Sequence, residues 1–376
     1  MTRIPFSVVA VLTILSLPFA AGCSGDPNSS GAAILPDSLI IETRTTTATA
    51  DTGFLERVRG NQTTLLVGKT PEYEARSLLR FSFPAFDTLA RIDSGILKLR
   101  VTYRLPEGGG AVEFDVHEMT AAWSSLTFLW DSLTDSFDPT PAGSFSGTVT
   151  SADTMVRVRI DTSLLRRWLV AGTGSLMMIP APGSASVFGF GSHLTAADSI
   201  QPVLEVMVTD TSTATLRRNA VSGVFVADGT APVIPGTILL QSGIAYRSRI
   251  MFDSLSLPTG ASIAQASFEI TADTAVAAAS RASRDTLTVS FIQDRAYPID
   301  SIVLSGLCYP VTENGVRLYR GELKTYVQLW ATREPNFGIL LRPLGELTTL
   351  DRIGVYGAAS VDSLKPRIRI TYSRFP

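Results

Sequence analysis

Val112-Glu-Phe-Asp-Val-His117 is the stretch that most clearly sets the fold class. Successive side chains of a β-strand point to opposite faces of a sheet, so its three apolar side chains share one face and its polar side chains the other. Val156–Ile160 and Arg367–Thr371 repeat this alternation. Short alternating runs between turn-rich segments predict an all-β protein.

The chain also contains two copies of one pattern. Arg76-Ser-Leu-Leu-Arg-Phe81 is followed by Ile92, and Arg247-Ser-Arg-Ile-Met-Phe252 is followed by Ile263. The spacing from Phe to Ile is 11 residues in both copies, since 92 − 81 equals 263 − 252. A strand-like run with comparable apolar positions begins at each Ile. Internal similarity of this kind predicts a repeated structural unit.

The two copies also end alike. Each contains a short helical pattern that closes on a tryptophan, Trp168 or Trp330, and each has a proline, Pro202 or Pro366, before its last strand. We therefore expect two tandem jelly-roll-like β-sandwiches, each with one short helix, in which these residues and the Phe of the repeated strand superpose. Both tryptophans are expected to fill sandwich cores.

The boundary between the copies is expected near Thr209–Ser212, which gives units at residues 37–210 and 211–376. This connection is too short to act as a long flexible linker. The two units are therefore expected to be in contact.

The N-terminus is typical of an exported protein. Arg3 is followed by an uncharged, mostly apolar stretch that ends in small residues directly before Cys23, and this ending resembles a lipobox. We expect residues 1–22 to be a lipoprotein signal peptide and Cys23 to be acylated. Cleavage by an ordinary signal peptidase is the alternative, because Ala20 stands where the lipobox pattern prefers Leu.

Residues 23–36 are expected to carry the lipid and to form a flexible tether, because the segment after Cys23 is rich in Ser, Gly, Pro and Asn. Ser24 resembles a sorting signal for the outer membrane. The expected location is the cell envelope, as an outer-membrane lipoprotein that faces the periplasm or the exterior. The lipid anchor makes the membrane the first expected partner.

The charge and cysteine content exclude some classes of protein. Without residues 1–22 the chain has 31 basic and 34 acidic residues, a net charge of −3, and the basic residues are spread singly along strands. No basic face for nucleic acid is indicated. With Cys23 acylated, Cys308 has no disulfide partner, and its apolar neighbours predict a buried thiol, with a reactive thiol as the alternative.

Several segments of the first half occur in the order typical of one known domain. They include Ala50-Asp-Thr52, the strand Arg76–Phe81, the paired-tryptophan segment Trp123–Trp130 and Pro202. Through them nearly the whole first half resembles the DNRLRE domain, also classed as carbohydrate-binding module family 96. The resemblance implies a β-sandwich jelly roll of secreted and surface proteins, often found beside polysaccharide-degrading domains.

The second half resembles a divergent copy of the same domain. It keeps the Arg-Ser strand, the helical pattern ending at Trp330 and the final proline, Pro366. Thr286–Ile302 contains no counterpart of the paired tryptophans. A ligand-binding role linked to that segment is therefore expected only in the first unit.

The sequence contains no recognisable catalytic apparatus. It has two histidines, His117 and His193, and no HExxH, CxxC or GxSxG motif and no phosphate-binding glycine loop. A catalytic triad based on histidine is therefore hard to assemble, and the chain is not expected to be an enzyme.

Two polar clusters have the residue types that could hold a cation. They are Glu113, Asp115 and His117 on one strand, and Asp131, Asp135 and Asp138 in one loop. A solvated strand edge and a loop whose Asp side chains cap their own backbone are the favoured interpretations. No metal and no other cofactor is expected.

Sugar-binding sites combine an aromatic ring that stacks on a pyranose face with polar side chains that meet the hydroxyl groups. The candidate ligand-binding residues of the first unit are Tyr73, Arg76, Tyr103 and Trp123. Trp130 is a further candidate for the aromatic ring. A tryptophan fills a core more often than it forms an exposed platform, so core placement is the favoured expectation for both tryptophans.

Three functions remain open on the sequence. The first is a non-enzymatic cell-surface lipoprotein with an adhesive, scaffolding or ligand-presenting role. The second is a polysaccharide-binding protein that acts through the first β-sandwich. The third, least favoured, is an enzyme of unknown type. The expected partners besides the membrane are an extracellular polysaccharide or other surface proteins.

Overall fold

The computed structural model describes residues 39–56, 62–84, 90–151, 154–210, 212–230, 232–278, 285–294, 302–332 and 334–375. The expected signal peptide, Cys23 and the tether lie outside these residues. Within the described ranges, no helix has the length and apolar character needed to cross a membrane. The fold is almost entirely antiparallel β, as the alternating runs predict.

Within the ranges given above, the first repeat contains eleven strands, one α-helix and a short 3-10 helix. These elements are β1 (Ile40–Thr47), β2 (Ala50–Leu55), β3 (Thr64–Lys69), β4 (Tyr73–Ser82), β5 (Arg91–Leu105), β6 (Gly110–Met119), the 3-10 helix (Trp130–Leu133), β7 (Phe137–Val149), β8 (Met155–Arg159), α1 (Thr162–Ala171), β9 (Thr173–Pro180), β10 (Val187–Gly191) and β11 (Val203–Thr209).

The second repeat contains the same number of strands among the described residues and one α-helix. These elements are β12 (Thr213–Asn219), β13 (Ser222–Gly229), β14 (Thr237–Gln241), β15 (Tyr246–Met251), β16 (Ser262–Thr271), β17 (Leu287–Ile292), β18 (Ile302–Glu313), β19 (Val316–Glu322), α2 (Lys324–Thr332), β20 (Ile339–Pro343), β21 (Arg352–Tyr356) and β22 (Arg367–Arg374).

The strands form two curled sheets, each of which folds back on itself as a sandwich. The first sandwich has the strand order β12-β11-β5-β10-β3-β4-β9-β6-β7, with β8 paired to β5 and β13 paired to β4. The second sandwich has the order β1-β22-β16-β19-β18-β17-β20-β15-β14-β21, with β2 paired to β15. The expected pair of jelly-roll-like β-sandwiches, each with a short helix, is confirmed.

Strand pairing confirms that the two sandwiches are copies of one unit. In the first, Leu97 of β5 lies opposite Leu204 of β11. In the second, Phe268 of β16 lies opposite Ile368 of β22. The offsets are 171 (268 − 97) and 164 (368 − 204), and the same offsets relate the repeated Arg-Ser strands and the final Asp-Ser segments in the sequence. The register of these strand pairs is therefore preserved between the repeats. The two strand orders differ at one place, since β5 pairs with β10 in the first sheet whereas the second sheet continues from β16 to β19.

The first two strands of each repeat are exchanged between the sandwiches. The β1–β2 pair belongs to the first repeat but pairs with β22 and β15 of the second. The β12–β13 pair belongs to the second repeat but pairs with β11 and β4 of the first. The sheets therefore do not divide at the boundary expected near Thr209–Ser212. The first sandwich occupies residues 62–230, and the second combines residues 39–56 with the chain after residue 231.

The exchanged pairs occupy equivalent positions residue for residue. Thr46 of β1 lies opposite Ile368, and Arg218 of β12 lies opposite Leu204. Phe54 of β2 and Val226 of β13 lie opposite the arginines of the two repeated strands. Both relations give the offset 172, since 218 − 46 equals 226 − 54. The two sandwiches thus offer the same register, so the register alone does not determine which one a strand pair joins.

The helix of the first sandwich, α1, packs so closely on β9 that it requires a glycine at residue 174. Asp161 accepts hydrogen bonds from the backbone amides of Ser163 and Leu164, at 2.6 and 3.2 Å, and so caps the N-terminus of α1. The helix buries Trp168, which is 3% exposed, against β9. A β-carbon on Gly174 would lie 2.0 Å from the Trp168 ring, so only glycine fits there.

The core residues expected from the repeated pattern are largely confirmed. Phe81 and Phe252 are both fully buried, each in the core of its own sandwich. Trp168 is buried, whereas Trp330 is only partly buried and stacks on Phe291 with ring centroids 5.8 Å apart. Cys308 is fully buried, and burial raises the pKa of its thiol to about 12, which keeps it protonated.

Candidate functional site

Strand β4 places its side chains as the alternation predicts. Leu79 and Phe81 point into the core of the first sandwich, while Arg76, Leu78 and Arg80 lie on the opposite face. The two arginines are partly exposed, and Leu78 between them is fully buried. This outer face is therefore covered by another part of the chain.

The paired-tryptophan segment covers the outer face of β4. Trp123 and Leu133 pack in one apolar cluster with Leu78 of β4, Met177 of β9 and Val224 of β13. The exchanged strand β13 thus contributes directly to the surface on which the tryptophan segment rests. The segment and the strands beneath it form a second, smaller hydrophobic core outside the main core of the sandwich.

Each arginine of β4 stacks on one tryptophan of this segment. The guanidinium of Arg80 lies 4.5 Å from the Trp123 ring centroid, and that of Arg76 lies 5.0 Å from the Trp130 ring centroid. Arg80 also donates a hydrogen bond from Nη2 to the Trp123 carbonyl at 2.5 Å. A cation above an aromatic face is attracted by the negative charge of the ring face, by about 0.5 to 2 kcal/mol.

Trp123 has the core role rather than the platform role. Its side chain is 6% exposed, and within the described part of the chain its indole nitrogen is buried without a hydrogen-bond partner. One face of its ring is occupied by Arg80. The ring therefore offers no free face to a sugar.

Tyr73 and Tyr103 lie between the two sandwiches. They are 8% and 3% exposed, and they share an apolar cluster with Phe225 of β13 and with Ile244 and Leu350 of the second sandwich. Burial raises the pKa of Tyr73 to about 12 and the pKa of Tyr103 well above its ordinary value. These two candidate ligand-binding residues are interface residues, and the expected contact between the units is confirmed.

Polar contacts surround this interface cluster. Tyr103 donates its hydroxyl hydrogen to Asp351 Oδ1 at 3.2 Å and accepts a hydrogen bond from the Leu350 amide at 3.1 Å. Arg352 forms an ion pair with Glu72 at 2.5 Å. The hydrophobic pattern of the sequence contains no signal that would have assigned these residues to an interface.

Two of the four predicted ligand-binding residues, Tyr73 and Arg76, line open grooves. Tyr73 lies at the edge of a groove of about 350 Å³ whose lining also includes Trp130. Arg76 lines a larger groove. This groove, here called the Trp130 groove, has a volume of about 650 Å³ and is lined by Arg76, Trp130, Asp131, Leu133, Thr134, Asp135 and Phe137. Trp130 is half-buried, and Arg76 also pairs with Glu74 at 2.7 Å. The groove combines an aromatic ring, a cation and two carboxylates at one open surface.

A further open groove lies at another part of the first sandwich. It has a volume of about 600 Å³, and its lining includes Asp115, Arg159 and Asp161. Asp161 is already engaged as the cap of α1. This groove has an Arg and Asp side chains but no aromatic residue in its lining, which makes it a natural control for the Trp130 groove.

His117 does not lie on a solvated strand edge. It is 7% exposed, its Nδ1 lies 2.8 Å from the carbonyl oxygen of Asp138, and its ring meets Phe137 edge-on at 5.3 Å. His117 keeps the outer face that the alternation predicts, opposite Met177 of β9, and it is buried because other residues of the chain cover that face. Glu113 accepts a hydrogen bond from Ser146 at 2.9 Å instead.

The acidic loop after Trp130 shows the expected backbone capping at one position. Asp138 Oδ1 accepts a hydrogen bond from the Thr140 amide at 2.8 Å, and this bond holds the pKa of Asp138 below its usual value. Asp131 and Asp135 line the Trp130 groove. The described residues contain no group of three or more His, Cys, Asp or Glu side chains placed to hold a metal ion.

The equivalent arginine of the second repeat is engaged differently. Arg247 corresponds to Arg76, with the offset 247 − 76 = 171, and it forms two hydrogen bonds with the carboxylate of Glu346, at 2.8 and 2.7 Å. Arg247 and Glu346 are 8% and 5% exposed. The second repeat thus uses this position for a buried ion pair, whereas the first repeat leaves it at the edge of an open groove.

Comparisons with known proteins add no functional identity. No protein-family model matches the chain, and no curated protein matches it. Among solved structures, a chain in the structure of infectious bursal disease virus Gx strain aligns with 91% of this chain and 79% of its own length, at 14% identity and a TM-score of 0.14. This similarity carries no argument about function.

Proposed function

We propose that the protein is a non-enzymatic cell-surface lipoprotein that acts as an adhesive or ligand-presenting scaffold. The observation that carries this proposal is the reciprocal exchange of strand pairs between the sandwiches. Each sandwich contains two strands from the other repeat, so the sandwiches cannot separate without breaking four strand pairings. Two sandwiches coupled in this way transmit force between a membrane tether and a bound partner.

The interface strengthens the same coupling. Buried apolar side chains from both sandwiches pack together around Tyr103, and the Arg352–Glu72 ion pair lies beside them. Burial of apolar surface stabilises contacts of this kind by roughly 25 cal/mol per Å². A flexible pair of independent modules would need neither feature, which favours a rigid scaffold.

The experiment compares bacteria that express the wild-type chain with bacteria that express Cys23→Ala. We expect the wild type to be acylated, to fractionate with the envelope and to promote cell attachment to coated surfaces, and we expect all three properties to be lost in the variant. The purified chain should also leave a panel of polysaccharides undegraded, with no new reducing ends or double bonds. Acylation of Cys23→Ala or depolymerisation by the purified chain would contradict the proposal.

A polysaccharide-binding role through the first sandwich is the second candidate, and the Trp130 groove favours it. Arg76 and the carboxylates of Asp131 and Asp135 can bind sugar hydroxyls, while the half-buried Trp130 supplies an apolar surface. Of the aromatic candidates of the sequence, Trp130 supplies the ring of this groove. Weak binding, typical of a single shallow site, is the expected behaviour.

Matched variants in the Trp130 groove and in the groove lined by Asp115 and Arg159 test this second candidate. We expect Arg76→Gln and Asp135→Asn to lose binding on a glycan array, while Arg159→Gln and Asp115→Asn retain it. Unchanged thermal melting would show that each variant is folded. Loss of binding in the Arg159 and Asp115 variants but not in the others would exclude the Trp130 groove.

A further inference from the structure

The β1–β2 pair docks on its sandwich mainly through backbone pairing and polar side chains. Glu42 accepts hydrogen bonds from Tyr372 and Arg374, at 2.5 and 3.0 Å, and the hydroxyl groups of Thr43 and Thr371 lie 3.1 Å apart. Within β1 and β2 most side chains are exposed, and the one buried apolar residue of residues 40–55 is Ala48, in the turn between the strands. Release of the β1–β2 pair from the second sandwich therefore exposes little apolar surface.

The equivalent β12–β13 pair is held much more firmly. Val224, Phe225 and Val226 of β13 are all buried, and they contribute to two apolar clusters. The strand β12 follows β11 after three residues, 210–212, so it must form a hairpin with its own neighbour. The two pairs have the same register but very different costs of release.

Release of the β1–β2 pair leaves a specific vacancy. Strand β22 loses its pairing with β1 along Arg367–Arg374 and keeps β16 on its other side. Strand β15 loses its pairing with β2 along Tyr246–Met251 and keeps β20. Unpaired strand edges bind other strands through their free amide and carbonyl groups. A segment with the register and side-chain pattern of β1–β2 fills the vacancy best, and a second copy of the chain supplies that segment.

We propose that two copies of this protein exchange their β1–β2 pairs reciprocally and so form a strand-swapped dimer. The structure already shows that a strand pair docks on the sandwich of the other repeat, and the same contacts form whether that sandwich belongs to the same chain or to a second copy. From Leu55 to the start of β3 at Thr64 the chain spans roughly 30 Å at most. The two copies therefore lie side by side. The proposal is independent of any polysaccharide binding.

Engineered cysteines test the exchange directly in the full chain with Cys23→Ala. One variant carries Thr43→Cys and the other Thr371→Cys. The two variants are mixed, warmed to a temperature that is still below the melting temperature, cooled and then oxidised. Exchange brings Cys at 43 of one chain against Cys at 371 of the other, so we expect a covalent heterodimer with a doubled mass. A mixture that stays monomeric would overturn the proposal.

Thr209 and Thr213 provide a matched control. They are a cross-strand pair with hydroxyl oxygens 3.0 Å apart, but they belong to the β11–β12 hairpin, which cannot open between chains. A mixture of Thr209→Cys and Thr213→Cys should give no heterodimer. Equal heterodimer yields in the two mixtures would show random cross-linking and would also overturn the proposal.

A third measurement detects the dimer without a cross-link between the two chains. Native mass spectrometry of the Cys23→Ala chain before and after the same warming should show a shift toward twice the monomer mass. The double variant Thr43→Cys/Thr371→Cys, oxidised before warming, should remain monomeric because its own disulfide bond locks the pair in place. Dimer formation by the locked chain to the same extent would contradict strand exchange as the cause.

Discussion

The hydroxyl group of Tyr103 in the first sandwich donates a hydrogen bond to the carboxylate of Asp351 in the second, over 3.2 Å. The same oxygen accepts a hydrogen bond from the Leu350 amide, at 3.1 Å. Both partners are buried. One phenol group therefore provides hydrogen bonds to two polar groups across the interface between the sandwiches.

Replacement of Tyr103 by Phe removes both hydrogen bonds without changing the shape of the ring. We expect the free energy of unfolding to fall by about 1 to 3 kcal/mol, the cost of leaving buried polar groups without a partner. Urea denaturation followed by circular dichroism measures this change. Tyr309, which is 56% exposed, is the control, because Tyr309→Phe should change stability by less than about 0.5 kcal/mol. Equal effects of the two substitutions would contradict the interface role.

The paired core phenylalanines test the mechanical coupling of the sandwiches. Phe81→Ala or Phe252→Ala should each cost about 3 to 5 kcal/mol, because both side chains are fully buried. Since the sandwiches share strand pairs, we expect each substitution to shift one common transition. In Trp330→Phe, the remaining tryptophans, Trp123, Trp130 and Trp168, all lie in the first sandwich.

The informative variant is therefore Phe252→Ala combined with Trp330→Phe. Its substitution at residue 252 lies in the second sandwich, while its tryptophan fluorescence reports on the first. Coupled unfolding predicts that the fluorescence transition moves to lower urea concentration relative to Trp330→Phe alone. An unchanged fluorescence transition with a shifted circular dichroism signal would mean that the sandwiches unfold independently.

The repeated unit and its strands could be predicted from the sequence because they depend on local pattern. The two faces of β4, the burial of Phe81 and Phe252 and the conserved register of the last strands all follow from alternation and internal similarity. The strand exchange could not be predicted. β1–β2 and β12–β13 occupy equivalent registers on the two sandwiches, so the register alone does not reveal which sandwich each pair joins.

The candidate site was harder to predict for a related reason. Tyr73 and Tyr103 have the residue type of a sugar platform, but their burial results from contact with the second sandwich. His117 lies on its expected face, opposite Met177, but this face is covered by other residues of the chain rather than solvated. Contacts between distant segments leave no periodic signal in a single sequence.

The buried ion pair of the second sandwich gives a sharper stability test. Arg247 and Glu346 form two hydrogen bonds at 2.8 and 2.7 Å in a buried position. Glu346→Ala leaves the guanidinium charge buried, and we expect a loss of about 3 to 5 kcal/mol in urea denaturation. Combined replacement by Arg247→Met and Glu346→Leu should recover most of this loss. A double variant as unstable as Glu346→Ala would show that the side-chain packing, not the unpaired charge, causes the loss.

Acid should loosen the β1–β2 pair through Glu42. The hydrogen bond from Tyr372, followed by that from Arg374, lowers the pKa of Glu42 below its ordinary value of 4.5, and Arg44 acts in the same direction. A carboxyl group with a lowered pKa stabilises the folded state above the ordinary value, and this contribution is lost as the pH falls through the lowered value. We therefore expect weaker docking of β1 on β22 at pH values below 4.5.

Hydrogen exchange measured by mass spectrometry tests this expectation, with rates corrected for the intrinsic effect of pH. Amides of β1 should lose protection on acidification to a greater extent than those of the equivalent strand β12, because β12 has Ala214 where β1 has Glu42. Glu42→Gln should weaken protection of β1 already at neutral pH and flatten its pH dependence, since the amide cannot form the charged contacts with Arg374. If β1 and β12 lost protection in parallel in both proteins, the acid effect would be a general destabilisation and Glu42 would not control the release of the pair.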